Sequence, residues 1–363
     1  MTAMLICCTS STSTNYPNDT FLKHLTLLPH GVSQNGYLPP VILDVFLTLN
    51  LLVGSDVISV FGIVGNIVNI IVYHHQGYDD SVNITLTALA VSDIGALVTL
   101  IVINAMLNPW LLRSDVTFAP VEIAYTTMFY PHNYFIRVSG FITAFASFER
   151  CLCVLIPLKV KRVITKQRTV TIIVAIYIIL LLNFVPIYYV AYIDFNFNVV
   201  KNKSILGLTF RENPYKVFSI SYYFTDLFVP YFTFFVIIVC TIIIAIKLKT
   251  RATWRKSVTR TTTTTTVVSS KEQKTVVMLM VVSVIFVVCL LPQSAILTTI
   301  SSVPELSVVG AYLDLTLLLL SVAFFAETIS SSVNVVVYYK MSSRYRETLL
   351  TLMHVFRQKY LGK

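Results

Sequence analysis

Apolar residues run for helical lengths at seven places along the chain, roughly 44–73, 83–107, 121–156, 168–192, 217–247, 274–301 and 308–339. Crossing a hydrocarbon core takes about 20 helical residues, so each run is long enough to span. Short polar intervals separate the runs. The pattern predicts an all-α membrane protein, a seven-transmembrane helix bundle occupying 44–339. Residues 1–43, rich in Ser, Thr, Asn and Pro, read as a disordered extracellular tail. Residues 340–363 form the other end, where MSSRYRETLLTLMHVF places Tyr345, Leu349, Leu352 and Phe356 on one face among basic residues. That face predicts a short amphipathic eighth helix lying on the inner leaflet.

Composition supports a membrane class. The chain is 56% hydrophobic and 12% charged, against about 25% charged in soluble domains. A net charge of +10 raises nucleic acid or an anionic surface as a partner, but its distribution excludes that reading: 19 of the 27 Lys and Arg fall in 159–168, 247–274 and 340–363. Basic residues concentrate in cytoplasmic loops, so the N-terminus lies outside. The first inner interval departs from this rule, with His74, His75, Asp79 and Asp80 but no Lys or Arg. Asn18 and Asn202 begin glycosylation sequons on the outer side. The apolar stretch near residue 5 is too short for a signal peptide, which leaves the first span as insertion signal.

Cysteine usage gives no disulfide framework. Cys240 and Cys289 lie within spans, Cys151 and Cys153 at the inner face, and Cys7 and Cys8 outside.

Several polar groups interrupt the apolar runs. The third run ends in SGFITAFASFERCLCVLIPLKVK, residues 139–161. A charge at the membrane centre costs roughly 3 kcal/mol or more, so Glu149-Arg150 belongs at the inner edge. A plain interfacial anchor and a functional pair are both open there. Asp93, Arg137, Asp226 and Glu327 lie deeper, and an intramembrane charge marks a functional site by default. Helical periodicity puts His132, Phe135, Ser139, Thr143, Ala146 and Arg150 on one stripe, with Arg137 facing away from it. Arg137 therefore needs its own partner. Asp226, four residues before Pro230, is nearest in depth, and Arg137 is either in a structural pair with it or the anchor for a ligand carboxylate or C-terminus. A second stripe joins Glu327, Ser331, Asn334 and Tyr338. Gly62 and Gly65 flank the first-span Asn66 and permit close helix approach. Thr261–Thr266 is six threonines in a basic loop, either a flexible linker or a phosphorylation cluster.

These residues, in this order, resemble the rhodopsin-like (class A) G-protein-coupled receptors. LAVSD ending at Asp93, Glu149-Arg150 followed by Cys151 in the usual aromatic position, Phe286-Val287-Val288-Cys289-Leu290-Leu291-Pro292, and Asn334-Val335-Val336-Val337-Tyr338 carry the resemblance. CLCVLIPLKVK looks most like molluscan chemosensory-type receptors, relatives of invertebrate neuropeptide receptors. The family would assign G-protein coupling to Glu149 and Arg150, with Glu272 as the resting lock. It would place a sodium and activation relay at Asn66, Asp93, Ser139, Ser331, Asn334 and Tyr338, and a switch at Phe286, Leu290 and Pro292. Ligand contacts would come from His132, Asn133, Arg137, Tyr222, Asp226 and Glu327.

Departures narrow the class. Leu290 stands where the family has tryptophan, Val335 where it has proline and Ile238 where it has tyrosine. Tyr125 and a cysteine-free 193–216 remove both halves of the usual outer disulfide. His132 replaces the acid of aminergic receptors, and no Lys precedes Lys340 in the last span to bind retinal. The resemblance implies a receptor for a small chemosensory cue or, as the alternative, a short neuropeptide. Its partners would be a heterotrimeric G protein, a receptor kinase, arrestin and the lipid bilayer, with no nucleic acid. No cofactor is implied beyond an allosteric sodium ion. A transporter or channel using the four intramembrane charges is the rival from another class, disfavoured by the missing inverted repeat. No nucleophile-base pairing or metal cluster supports an enzyme.

Overall fold

The computed structural model describes residues 39–108, 110–111, 114–198, 203–211, 214–258, 267–306 and 312–362. Seven helices among them are long and apolar enough to cross a membrane: α1 (Val41–Gln76), α2 (Ser81–Met106), α3 (Pro120–Leu155), α4 (Lys166–Val190), α5 (Lys216–Thr250), α6 (Lys274–Ser302) and α7 (Asp314–Met341). An eighth, α8 (Ser343–Leu361), follows. Within hydrocarbon the backbone satisfies its own hydrogen bonds only as helix or closed barrel, so unbroken apolar runs fold as helices. Outside it, side chains cap the starts. Asp80 accepts from Val82 N on α2, Thr165 from Arg168 N on α4, and Ser342 from Tyr345 N on α8.

Burial shows which helix the others surround. In the most apolar window of α3, 61% of residues are buried, against 11% in α1 and 17% in α4. The outer faces of α1 and α4 carry Val57, Val60, Ile178 and Leu182, all exposed, as lipid contact requires. Gly62 and Gly65 bring α1 against α7. A Cβ at Gly62 would overlap the Ser332 side chain, and one at Gly65 would come within 2.7 Å of Val335 Cγ1.

Proline shapes three of the spans. π-helical turns at Tyr125–Phe129 in α3 and Tyr223–Phe228 in α5 lie just before Pro131 and Pro230. A proline cannot donate to the carbonyl four residues back, here Thr127 and Asp226, and the ladder widens to accommodate it. In α4 a proline, Pro186, falls inside the apolar run 168–192. The helix loosens at Asn183 and resumes over Phe184–Val190. Pro186 deprives Leu182 of its donor, while its fixed φ remains helical.

Most of the cysteine-free interval after α4 is a β-hairpin, β1 (Ala191–Asn198) antiparallel to β2 (Lys203–Phe210), with Ala191 opposite Phe210 and Asn198 opposite Lys203. The first inner turn also gains an explanation: Asp80 is the α2 cap, and Asp79 lies 3.6 Å from Lys166 across the exposed inner surface. Asn18, Asn202, Thr261–Thr266 and the Glu272 side chain lie outside the described residues and side chains.

Helix α8 departs from the single lipid face expected of it. Tyr345 is 1% exposed and packs on the bundle, with Leu349 and Leu352 against the same core, while Phe356 is 62% exposed. Burial pushes the Tyr345 phenol above its ordinary range, so it remains a donor, and its Oη hydrogen-bonds Asn69 Oδ1 at 2.7 Å. Leu350, Met353 and Val355 join Phe356 on the exposed side.

Candidate functional site

Helix α3 meets a different neighbour through buried polar groups at each depth. Outermost, Glu122 accepts a hydrogen bond from Leu208 N of β2 at 2.7 Å. Two backbone bonds reinforce this tie, Ala119 N to Leu206 O at 2.8 Å and Leu206 N to Thr117 O at 2.9 Å. Lys203 pairs with Asp115 beside them. Tyr125 and Tyr130, hydrogen-bonded to each other at 2.8 Å, pack with Ile187, Val190, Leu208 and Phe218 below the hairpin. Polar bonds and an aromatic cluster thus hold the outer loop where the sequence offered no disulfide.

One turn deeper, His132 and Glu327 meet. His132 Nε2 lies 2.7 Å from Glu327 Oε1, and both residues are at most 2% exposed. The other imidazole nitrogen, Nδ1, lies 3.0 Å from the Ala96 carbonyl and 3.3 Å from Thr99 Oγ1. Gln293 Nε2 donates to the second oxygen of Glu327. These groups join α2, α3, α6 and α7.

Arg137, facing the other way, reaches α5. Its Nη2 lies 3.1 Å from Asp226 Oδ1, with both side chains at most 7% exposed. The pair borders a small crevice between α3, α4 and α5, with room for about one water molecule. Asn133, Tyr134, Asn183 and Phe184 line it as well. The six ligand candidates therefore divide. Asn133, Arg137 and Asp226 border this cavity, whereas His132 and Glu327 satisfy one another outside it. Tyr222 donates to Ser301 Oγ at 2.7 Å and fastens α5 to α6.

At mid-depth, Asp93 accepts from Ser139 Oγ at 2.9 Å and from Asn334 Nδ2 at 2.8 Å, joining α2, α3 and α7. The remaining relay residues sit beside it. Asn66 Nδ2 donates to the Ser331 carbonyl at 2.8 Å, and its Oδ1 accepts from Asn69 at 3.3 Å. Tyr338 stacks edge-on against Tyr73, with ring centroids 5.7 Å apart, and its hydroxyl has no hydrogen-bond partner among the described residues. Phe286 and Leu290 share a buried cluster with Ile136 and Phe234, and Pro292 lies inside α6.

Near the inner rim, Ser147 and Ser283 share a 2.7 Å hydrogen bond between α3 and α6. Glu149 is 1% exposed and is held by Thr85 of α2 at 3.3 Å and Thr169 of α4 at 3.4 Å. It makes no ion pair with Arg150, whose buried Nε has no hydrogen-bond partner among the described residues. Sequence reasoning missed Thr85, Thr169, Gln293 and the Glu122 tie. Thr and Gln are common in membrane helices, and only the cross-helix register reveals that these meet carboxylates. Glu122 was legible in principle, as an acid near the outer end of a span lacking its disulfide.

Seven spans around a central α3, with buried carboxylates clamped between helices, define a multi-pass membrane helix bundle. The family profile of the 7 transmembrane receptor (rhodopsin family) matches residues 65–338, three quarters of the chain, and the protein belongs to that family. Members of this family are signalling receptors rather than enzymes. The comparison with curated proteins returned no match.

Proposed function

We propose that this protein is a plasma-membrane receptor, N-terminus outside, that answers a small extracellular chemical cue by activating a heterotrimeric G protein. The observation that carries this reading is the column of buried polar contacts along α3. Outer contacts to α5 and α7, through Arg137 and His132, are continuous through one rigid helix with inner contacts to α6, α2 and α4, through Ser147 and Glu149. A ligand that prefers one arrangement of the outer half shifts the population of the whole column. Packed helices have discrete arrangements, so the inner half follows.

At the inner end, Arg150 is the group offered to the G protein, and Glu149, clamped by two threonines, stays with α2 and α4. Phe286 and Leu290 pack α6 against α3 and α5, and displacement there opens the inner face. The likeness of CLCVLIPLKVK to molluscan chemosensory-type receptors supports a chemical cue over a peptide. Phosphorylation of the Thr261–Thr266 run by a receptor kinase, with arrestin capture, would end the signal by adding negative charge to a basic loop.

The oxygen donors Asp93, Ser139 and Ser331 are of the kind a hard cation takes, and together with Asn334 they would hold an allosteric sodium ion. Such an ion would supply positive charge to a carboxylate otherwise satisfied by Ser139 and Asn334.

The test is nucleotide exchange on added G proteins by the receptor in lipid nanodiscs, set against ion flux in liposomes. Exchange without flux supports the receptor reading. Flux without exchange returns the transporter or channel.

A further inference from the structure

The outer hairpin has one edge occupied and one edge open. In an antiparallel ladder, residue pairs that bond each other alternate with pairs whose N–H and C=O groups point outward. Arg211 N donates to Val190 O at 2.9 Å, and this fixes the phase. Tyr192, Asp194 and Asn196 bond across to β2, while Ile193, Phe195 and Phe197 turn their backbone groups away from it. β2 keeps the same phase on its own far side, where Leu206 bonds Thr117 and Ala119 and Leu208 N is held by Glu122. On β1 the corresponding edge has no strand beside it among the described residues. Phe195 N–H is met only by its neighbour, Asp194 Oδ1, at 2.8 Å, a local bond that a pairing strand would replace.

Open edges are commonly blunted by Lys, Pro or a bulge. β1 has neither Lys nor Pro, and its outward residues Phe195 and Phe197 are 68% and 63% exposed. A row of backbone donors and acceptors selects an extended polypeptide as occupant, and the charge pattern selects which one. Two copies in one membrane share an orientation, and a two-fold rotation between them makes an isologous contact in which the edge strand meets itself antiparallel. Outward groups must face outward groups, so the axis falls on a single residue. Centred on Asp194, the pairing would set two carboxylates opposite each other, which is unfavourable. Centred on Phe195, it sets Ile193 opposite Phe197, brings the two Phe195 rings together and places Asp194 opposite the neutral amide of Asn196.

We propose that the open edge of β1 is an interface with a second copy of this chain, paired antiparallel about Phe195. This goes beyond the receptor function proposed above and does not rest on it.

The experiment is cysteine cross-linking of the full chain in liposomes under mild oxidation, in a Cys7→Ser, Cys8→Ser background. Directly opposed strand residues lie about 5.5 Å apart between Cα atoms, within disulfide reach. Phe195→Cys is expected to link to itself. Ile193→Cys and Phe197→Cys should link when mixed and not when either is alone, since each then lies four residues out of register with its own copy. Phe197→Pro removes an outward N–H while the bonds to β2 stay, and in the Phe195→Cys protein it should lower the cross-link roughly tenfold or more, as each copy loses a bond to the other. Thermal midpoints equal to that of the parent establish that the variants fold, and the mixed pair tests the register independently of the proline. In nanodiscs holding one copy, the introduced thiol of Phe195→Cys should react with a membrane-impermeant maleimide, and in crowded liposomes it should be protected. No self-link at Phe195→Cys overturns the inference, as do equal links for Ile193→Cys alone and in the mixture, which mark random collision. Protection from maleimide in single-copy nanodiscs also overturns it, because another part of the same chain then covers the edge.

Discussion

His132 Nε2 of α3 and Glu327 Oε1 of α7 lie 2.7 Å apart in a region closed to solvent, with Gln293 of α6 donating to the other carboxylate oxygen. Removing one partner of a buried pair strands the other. Glu327→Ala should therefore destabilise the receptor by about 3–5 kcal/mol. Glu327→Gln, which keeps an acceptor for Gln293, should cost less. Thermal midpoints of the purified proteins check this, and equal midpoints for wild type and Glu327→Ala would show that the contact holds nothing together.

The outer hairpin is held by Glu122 in place of a covalent bond. Glu122→Ala leaves the buried Leu208 N–H without its acceptor, at about 1–3 kcal/mol. Gly207→Ala should cost a similar amount, since its Cβ would come 2.5 Å from Glu122 Oε2. Hydrogen exchange of the Lys203–Phe210 amides should accelerate in both variants, while amides of α6 stay unchanged.

Much of this architecture is legible in the chain. Seven apolar runs predict seven spans because hydrocarbon leaves the backbone few alternatives, and the depth of Arg137 and Asp226 suffices to pair them. Partner choice across helices is harder to read. His132 and Glu327 each read as a ligand contact, because helical periodicity gives the face of one helix but not the rotation of its neighbour. The hairpin was missed although Tyr192-Ile193-Asp194-Phe195-Asn196-Phe197 partly alternates aromatic and polar residues, since a loop of this length invites no strand without a partner in view. In α8, amphipathicity marks an apolar face without saying that Tyr345 turns to the bundle.

Tyr345 gives a pH-dependent prediction. Its folded-state phenol titrates above the ordinary 10.0, so its contribution to docking α8 is complete below about pH 10 and is lost as pH rises through the raised value. Tyr345→Phe should remove about 1 kcal/mol from the same docking, by loss of the bond to Asn69. Hydrogen exchange along α8 should increase in the variant at neutral pH, and in the wild type only in alkali.

The carboxylate of Asp93 gives a salt-specific prediction. Replacing potassium by sodium should raise the unfolding midpoint of wild type and lower its ligand-free nucleotide exchange, and Asp93→Asn should abolish both responses. Equal behaviour of wild type in the two salts would remove sodium from the account.

The central claim is that α3 carries a message to a G protein at its inner end. Its most direct test is GDP–GTP exchange on purified heterotrimers, comparing wild type with Arg150→Ala at equal amounts of folded receptor, with and without a ligand drawn from a screen of odorants, amino acids and short peptides. Ligand-stimulated exchange in wild type, reduced at least tenfold in Arg150→Ala by a loss of roughly 1.4 kcal/mol or more, is the predicted result. Full stimulation by Arg150→Ala would contradict the claim.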